Sequence, residues 1–129
     1  MKKITNDWLD SSESDLSLID KIKASESLTH LSAFHAQQAI EKSFKAIIEE
    51  FEMGFIKTHS LEMLCSLVGH KIPFALNINN LILLDQLYID ARYPGEMGLL
   101  PNGKPSLSEA KEFYSLAVLI FNTAKSVCS

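Results

Sequence analysis

Gln38, Glu41 and Lys45 stand three and four residues apart in the segment FHAQQAIEKSFKA, so on a helix they project from one face, with Phe34 and Ile48 closing the stripe at its ends. Buried, such a stripe needs partners for every polar group and becomes a candidate binding site. In solvent, Glu41 and Lys45 are an ordinary i,i+4 ion pair that contributes about 0.2–0.5 kcal/mol. Asp85, Tyr88 and Arg92 repeat the spacing and are followed by Tyr93 and Pro94. Arg92 is the only arginine of the chain. Its planar guanidinium can hold a phosphate or carboxylate at two points, or it can pair with Asp85 or Glu41 and lock two helices together.

The histidines are His30, His35, His59 and His70, and no two stand at i,i+4 with a carboxylate to form a helical metal site. His59 follows Thr58 at an expected helix start, where a capping role and a functional role are equally open. His35, one turn before Gln38, either extends the polar stripe or is half exposed. The patterns GxSxG, GxGxxG and the P-loop are absent, which excludes the nucleophile elbow and the common glycine-rich phosphate cradles. Cys65 and Cys128 are the only cysteines and form no CxxC pair, so two free thiols of a cytoplasmic protein are expected rather than a zinc ribbon or redox motif.

The elements that position these residues follow from helical periodicity and its punctuation. At 129 residues, 47% apolar and 22% charged, the chain suits one globular domain over residues 1–129. Helices are expected over Thr5 to Ala24, Thr29 to Met53, from His59 or Ser60 to Gly69, over Asn77 to Ala91, and from Ser106 to the C-terminus. In the first, Trp8, Leu16 and Ile19 face inward, although Ser11 to Ser17 is a poor helix former. In the second, Ala33, Gln37, Ile40, Phe44, Ile47 and Phe51 form one seam, with Gly54 as its stop. Leu61, Leu64, Leu67 and Val68 line the third; Leu81, Leu84, Leu87 and Tyr88 line the fourth, which Pro94 and Gly95 end.

Tyr93 to Pro105 holds three of the four prolines and three of the five glycines, the composition of a long loop. The last helix opens on a capping box, Ser106 with Glu109, and carries Leu107, Ala110, Tyr114, Ala117, Phe121 and Ala124. No alternating strand pattern competes. The expected fold is therefore an all-α, up-and-down helical bundle of four long helices plus one short helix. A net charge of −4 argues against a broad nucleic-acid surface, and no apolar stretch approaches a membrane span or a secretory leader.

FHAQQAIEKSFKA (34–46), THSL (58–61) and LYIDARYP (87–94), with a closing helix containing SEAKEFYSLA, together resemble the HEPN family, the "higher eukaryotes and prokaryotes nucleotide-binding" domain. The resemblance spans nearly the whole chain, including the early tryptophan and the Asp15-Leu16 pair. It implies a helical bundle, usually a homodimer, and in prokaryotes frequent pairing with a small nucleotidyltransferase, often as toxin and antitoxin. Toxins of the family are metal-independent ribonucleases marked by an arginine followed, after four to six residues, by a histidine.

From Arg92 that histidine belongs at 97 to 99, where the chain has Met97, Gly98 and Leu99. No imidazole therefore stands in the family's position to handle the ribose 2′-hydroxyl proton. The expectation is a non-catalytic member that binds a nucleotide or a protein partner, without cofactor or metal. An anionic ligand is assigned to Lys45, Arg92 and Lys42 for charge, His59 for a hydrogen bond, and Tyr88 or Tyr93 for stacking on a base, beside Gln38 and Glu41. Two alternatives stay open: a ribonuclease using His59 or His35 as an unconventional base, and a purely structural dimerisation module.

Overall fold

The computed structural model describes residues 1–92 and 103–129, the side chains of 91 and 92 excepted. The elements are α1 (Lys3–Ile22), a 3₁₀ turn (Glu26–Leu28), α2 (Thr29–Glu50), α3 (Leu61–Val68), a second 3₁₀ turn (Gly69–Lys71), α4 (Ile78–Arg92) and α5 (Leu107–Cys128), with no strand among the described residues. The all-α bundle of four long helices and one short one is thus observed. Most of the expected long loop, with Tyr93, Pro94 and Gly95, lies outside the described residues. No helix among them is long and apolar enough to cross a membrane.

The central helix is α2, which packs against α1, α5, α4 and α3, while α1 also meets α5 and α3 meets α4. It is buried on nearly every side because its inward positions are small or apolar: Ala33, Ala36, Ala39, Ile40, Phe44, Ala46, Ile47 and Ile48. Leu9, Leu16 and Ile19 face it from α1, Leu61, Leu64 and Val68 from α3, Leu81 and Leu84 from α4. From α5 the inward residues are Ala110, Phe113, Ala117, Ile120, Phe121, Ala124 and Cys128. The α5 seam therefore runs through Phe113 and Ile120, with Tyr114 and Leu107 only half-buried. Trp8 is likewise half-buried and packs on the margin of the core.

Serines that lower the helix propensity of α1 are used where it crosses α2. The Ser12 hydroxyl donates to the carbonyl of Ala39 at 2.8 Å and lies 2.9 Å from the Ser43 hydroxyl, which donates to the same carbonyl. Small residues let the two helices approach, and each buried hydroxyl has a partner. At the start of α1, Glu50 from the end of α2 accepts the Lys2 N–H and the Thr5 hydroxyl, both at 2.9 Å. A carboxylate there complements the positive end of the helix dipole and replaces a local side-chain cap. These bonds, with Lys2 beside it, hold the Glu50 carboxyl below the usual range.

The end of α2 corrects the sequence reading. The helix stops at Glu50, three residues before Met53, and Phe51 is exposed outside the seam. Glu52, not Gly54, takes the first left-handed position, with φ of +51°. The Met53 N–H bonds the Ile48 carbonyl at 2.9 Å and the Glu52 N–H bonds that of Glu49 at 3.3 Å. These are the two bonds of a Schellman turn, and Met53 then packs on the core. Gly54, with φ of +106°, only redirects the chain into the extended segment before α3.

Candidate functional site

The polar stripe of α2 is buried at its centre and half-buried at Gln38 and Lys45. Glu41 is 5% exposed, and its carboxylate accepts the Lys45 ammonium at 2.8 Å, the Lys45 side chain itself being 12% exposed. The solvated ion pair allowed by the spacing is therefore not what forms, because α3 and the segment before it cover this face. His59 brings its Nδ1 to within 3.1 and 3.2 Å of the two Glu41 oxygens. With the proton on Nδ1 donated to Glu41, Nε2 is left for the more open side of the ring, and the side chain is 55% exposed. One carboxylate thus holds an ammonium and an imidazole, the pattern of a positioned polar centre.

Gln37 completes the centre. Read from spacing alone it belongs to the apolar seam, and it is fully buried as that predicts. Its amide N–H nonetheless donates to the His59 carbonyl at 3.0 Å, while its oxygen accepts the Gln38 amide at 2.7 Å. Gln37 therefore anchors the 59–60 backbone against α2. The available signal was a glutamine within an otherwise apolar seam, since a buried amide demands partners.

Lys42 does not join this centre. Its ammonium bonds Asp15 of α1 at 2.8 Å, and His35 places Nδ1 2.9 Å from the other oxygen of the same carboxylate. His35 thus extends no Gln38 stripe but belongs to a second carboxylate, imidazole and ammonium group between α1 and α2. Asp15 is 8% exposed, a burial that the inward set of Trp8, Leu16 and Ile19 did not include. Among the described residues, no group of three or more His, Cys, Asp or Glu side chains is disposed to hold a metal ion.

Asp85 serves α3. Its carboxylate accepts the N–H groups of Leu61 at 2.8 Å and Glu62 at 3.2 Å and the Ser60 hydroxyl at 3.2 Å, while Ser60 caps the Met63 N–H at 3.2 Å. Orphan donors and the dipole of α3 are thereby satisfied from α4. One helical turn further on, Tyr88 stacks on Phe34 at 5.6 Å with an interplanar angle of 18° and lies 5.9 Å from the His59 ring. A cleft of about 410 Å³ between α3 and α4 is walled by His59, Asp85, Tyr88, Ile82 and Ile89, with Glu62 also on its lining. Arg92 closes α4 one turn beyond Tyr88. The structure brings Gln38, Glu41, Lys45, His59 and Tyr88 to one side of α2 and sends Lys42 to the Asp15 group.

The architecture and order of these motifs can be compared with known proteins. The HEPN domain family model matches residues 5–127. The chain belongs to the HEPN family. The fold of this HEPN protein is also that of a crystal structure of an archaeal HEPN homologue, with a TM-score of 0.73 over 100% of both chains and 24% sequence identity. A search of curated protein sequences gave no match.

Proposed function

We propose that this HEPN protein is a non-catalytic, dimeric binding protein whose ligand is a nucleotide and which works beside a small nucleotidyltransferase in the cytoplasm. The observation that carries the reading is the cleft between α3 and α4. Its lining brings together the Tyr88 ring, stacked on Phe34, and the His59 imidazole, an aromatic plane and a ring nitrogen of the kinds that engage a base. Arg92 follows one turn along the same helix, and a guanidinium is the group suited to a phosphate attached to that base. A volume near 410 Å³ is in the range of small-molecule pockets, roughly 300–1,000 Å³. Behind the cleft Glu41 holds the His59 ring, with Lys45 on the same carboxylate and Gln38 bonded to Gln37; Lys42 is left to Asp15, and Tyr93 follows Arg92 in sequence as a second candidate for stacking.

Dimerisation is supported by the outer face of α3 and α4. Ile78, Leu83 and Met63 are each exposed there beside the cleft, apolar side chains that a second copy would cover. Titration with ATP and GTP by calorimetry tests the ligand. Saturable heat that falls about tenfold in affinity in Tyr88→Ala supports it; no heat with any nucleotide at roughly millimolar concentration rejects it. Co-purification with the product of a neighbouring nucleotidyltransferase reading frame tests the partner.

A second reading has one observation in its favour. His59 and His35 each direct Nδ1 to a buried carboxylate, the orientation that makes the other ring nitrogen a general base. RNA incubated with wild type, Arg92→Ala and His59→Gln separates the two readings: cleavage lost in the variants favours the ribonuclease, and equal background from all three eliminates it.

A further inference from the structure

Where the first turns of α1, the last turns of α2 and the segment 54–57 meet, the molecule has a second hollow of about 350 Å³. We propose that it binds the zwitterion of an amino acid with an apolar side chain. The inference is independent of the nucleotide reading, since its apolar walls and the charges of Glu49 and Lys57 lie in another part of the bundle, and Lys45, which borders both, stays bound to Glu41.

The walls are apolar: Trp8, Ile48, Ile56 and Phe55. Phe55 is 82% exposed, far more than any other large apolar side chain among the described residues. A single exposed hydrophobic residue needs no explanation, but an exposed ring on the lip of a hollow floored by tryptophan and isoleucine is an incomplete packing arrangement. Its position is built in. The Schellman turn at Glu52 and the left-handed Gly54 reverse the chain, and Ile56 anchors the segment in the core, which leaves Phe55 at the mouth.

The charges on the lining select the occupant. Three acids stand at the end of α2. Glu50 accepts the Lys2 N–H and the Thr5 hydroxyl, and Glu52 pairs with the Lys2 ammonium at 2.9 Å. Glu49, which lines the hollow, has no such side-chain partner among the described residues. Of the two lysines on the lining, Lys45 is held by Glu41 and lies 5.5 Å from the Trp8 ring centre. Lys57 faces only the Phe55 ring, at 5.7 Å, and has no carboxylate partner among the described residues.

One uncommitted carboxylate and one uncommitted ammonium therefore flank an apolar hollow without pairing to each other. An α-amino acid presents the opposite charge to each from a single carbon, and its apolar side chain then fills the hollow against Trp8, Ile48 and Ile56. A nucleotide suits this lining poorly, since Glu49 opposes phosphate and the walls offer few groups to read a base edge.

Trp8 is the only tryptophan of the chain, so its fluorescence reports on this hollow directly. The probes are L-phenylalanine, N-acetyl-L-phenylalanine, which lacks the ammonium, and L-phenylalaninamide, which lacks the carboxylate. Excitation is at the red edge, where none of them absorbs. The expected result is a saturable change with L-phenylalanine at a Kd of roughly millimolar order, as for a small ligand at ordinary efficiency. Each derivative binds about threefold or more weakly, the effect of losing one exposed charge pair.

Glu49→Gln removes the discrimination against the acetyl derivative, Lys57→Gln removes that against the amide, and Phe55→Ala weakens all three by about tenfold. These side chains are exposed or half-exposed, and circular dichroism checks that the variants remain folded. The proposal is overturned by the absence of a saturable change up to tens of millimolar, or by derivatives that bind as well as the parent. It is equally overturned if the folded variants keep wild-type affinity and discrimination.

Discussion

Removing the Glu41 carboxylate strands the Lys45 ammonium at 12% side-chain exposure and the His59 Nδ1 without its acceptor. Breaking a buried pair by deleting one partner costs about 3–5 kcal/mol, against about 0–1 for an exposed pair. Lys45 keeps some contact with solvent and with the Trp8 ring, so the lower end applies and Glu41→Gln should destabilise by about 3 kcal/mol. With an unfolding entropy of about 2.1 cal/mol/K per residue, the 129 residues give roughly 0.27 kcal/mol/K, and the melting temperature falls by roughly 11 °C.

Lys45→Met should cost a similar amount, because Glu41 then lies buried with only His59 and Gln37 beside it. The double variant should lose at least about 2 kcal/mol less than the sum, since neither charge is left alone. Calorimetric melts of the four proteins at one concentration measure the cycle. Additivity within about 0.5 kcal/mol would show that the two charges are solvated independently and would refute the reasoning.

Asp85→Ala removes three acceptor contacts at the start of α3 and should destabilise by about 1–2 kcal/mol, with Asp85→Asn recovering part of it; urea midpoints at unchanged m-value check this. Glu52→Gly relieves a left-handed glutamate that is also tied to Lys2, and a change between neutral and about 1 kcal/mol of stabilisation is expected in the same assay. Burial, and secondarily the Glu50 carboxylate, pushes the Cys128 thiol up to about 11, and burial raises Cys65 as well. Both should resist a thiol reagent near neutral pH until denaturant is added.

Burial first, and then Lys104, lowers the His30 imidazole from its ordinary 6.5, and its Nδ1 is buried without a hydrogen-bond partner. The unfolded chain therefore takes up this proton first, so the stability from neutral His30 is complete above 6.5 and declines as the pH drops below it. The fall in melting temperature between about pH 7.5 and about pH 5.5 should be smaller in His30→Gln than in wild type.

Local chemistry and periodicity sufficed for the class of fold, the number of helices, the Ser106 and Glu109 capping box and most of the buried seam, because one turn of helix suffices to define which residues share a face. They sufficed also to single out Glu41, Lys45, His59 and Tyr88, and the motif order carried the family. The i,i+4 pair of Glu41 and Lys45 was legible too, but its burial and its contact with His59 were beyond them. Whether Glu41 and Lys45 meet water or a covering segment depends on where the chain returns after α2, and that return is governed by a left-handed glutamate that no propensity favours. Lys42 and Lys45, three positions apart on one helix, go to different carboxylates: α1 supplies Asp15 to the first, while the second keeps Glu41 of its own helix, against which the segment before α3 places His59. Asp85, which shares a helix face with Tyr88 and Arg92, is drawn to the open N–H groups of α3. Spacing along one helix assigns a direction to each side chain and can pair Glu41 with Lys45, but Asp15, His59 and the N–H groups of α3 come from other segments, and only the packed bundle brings them together.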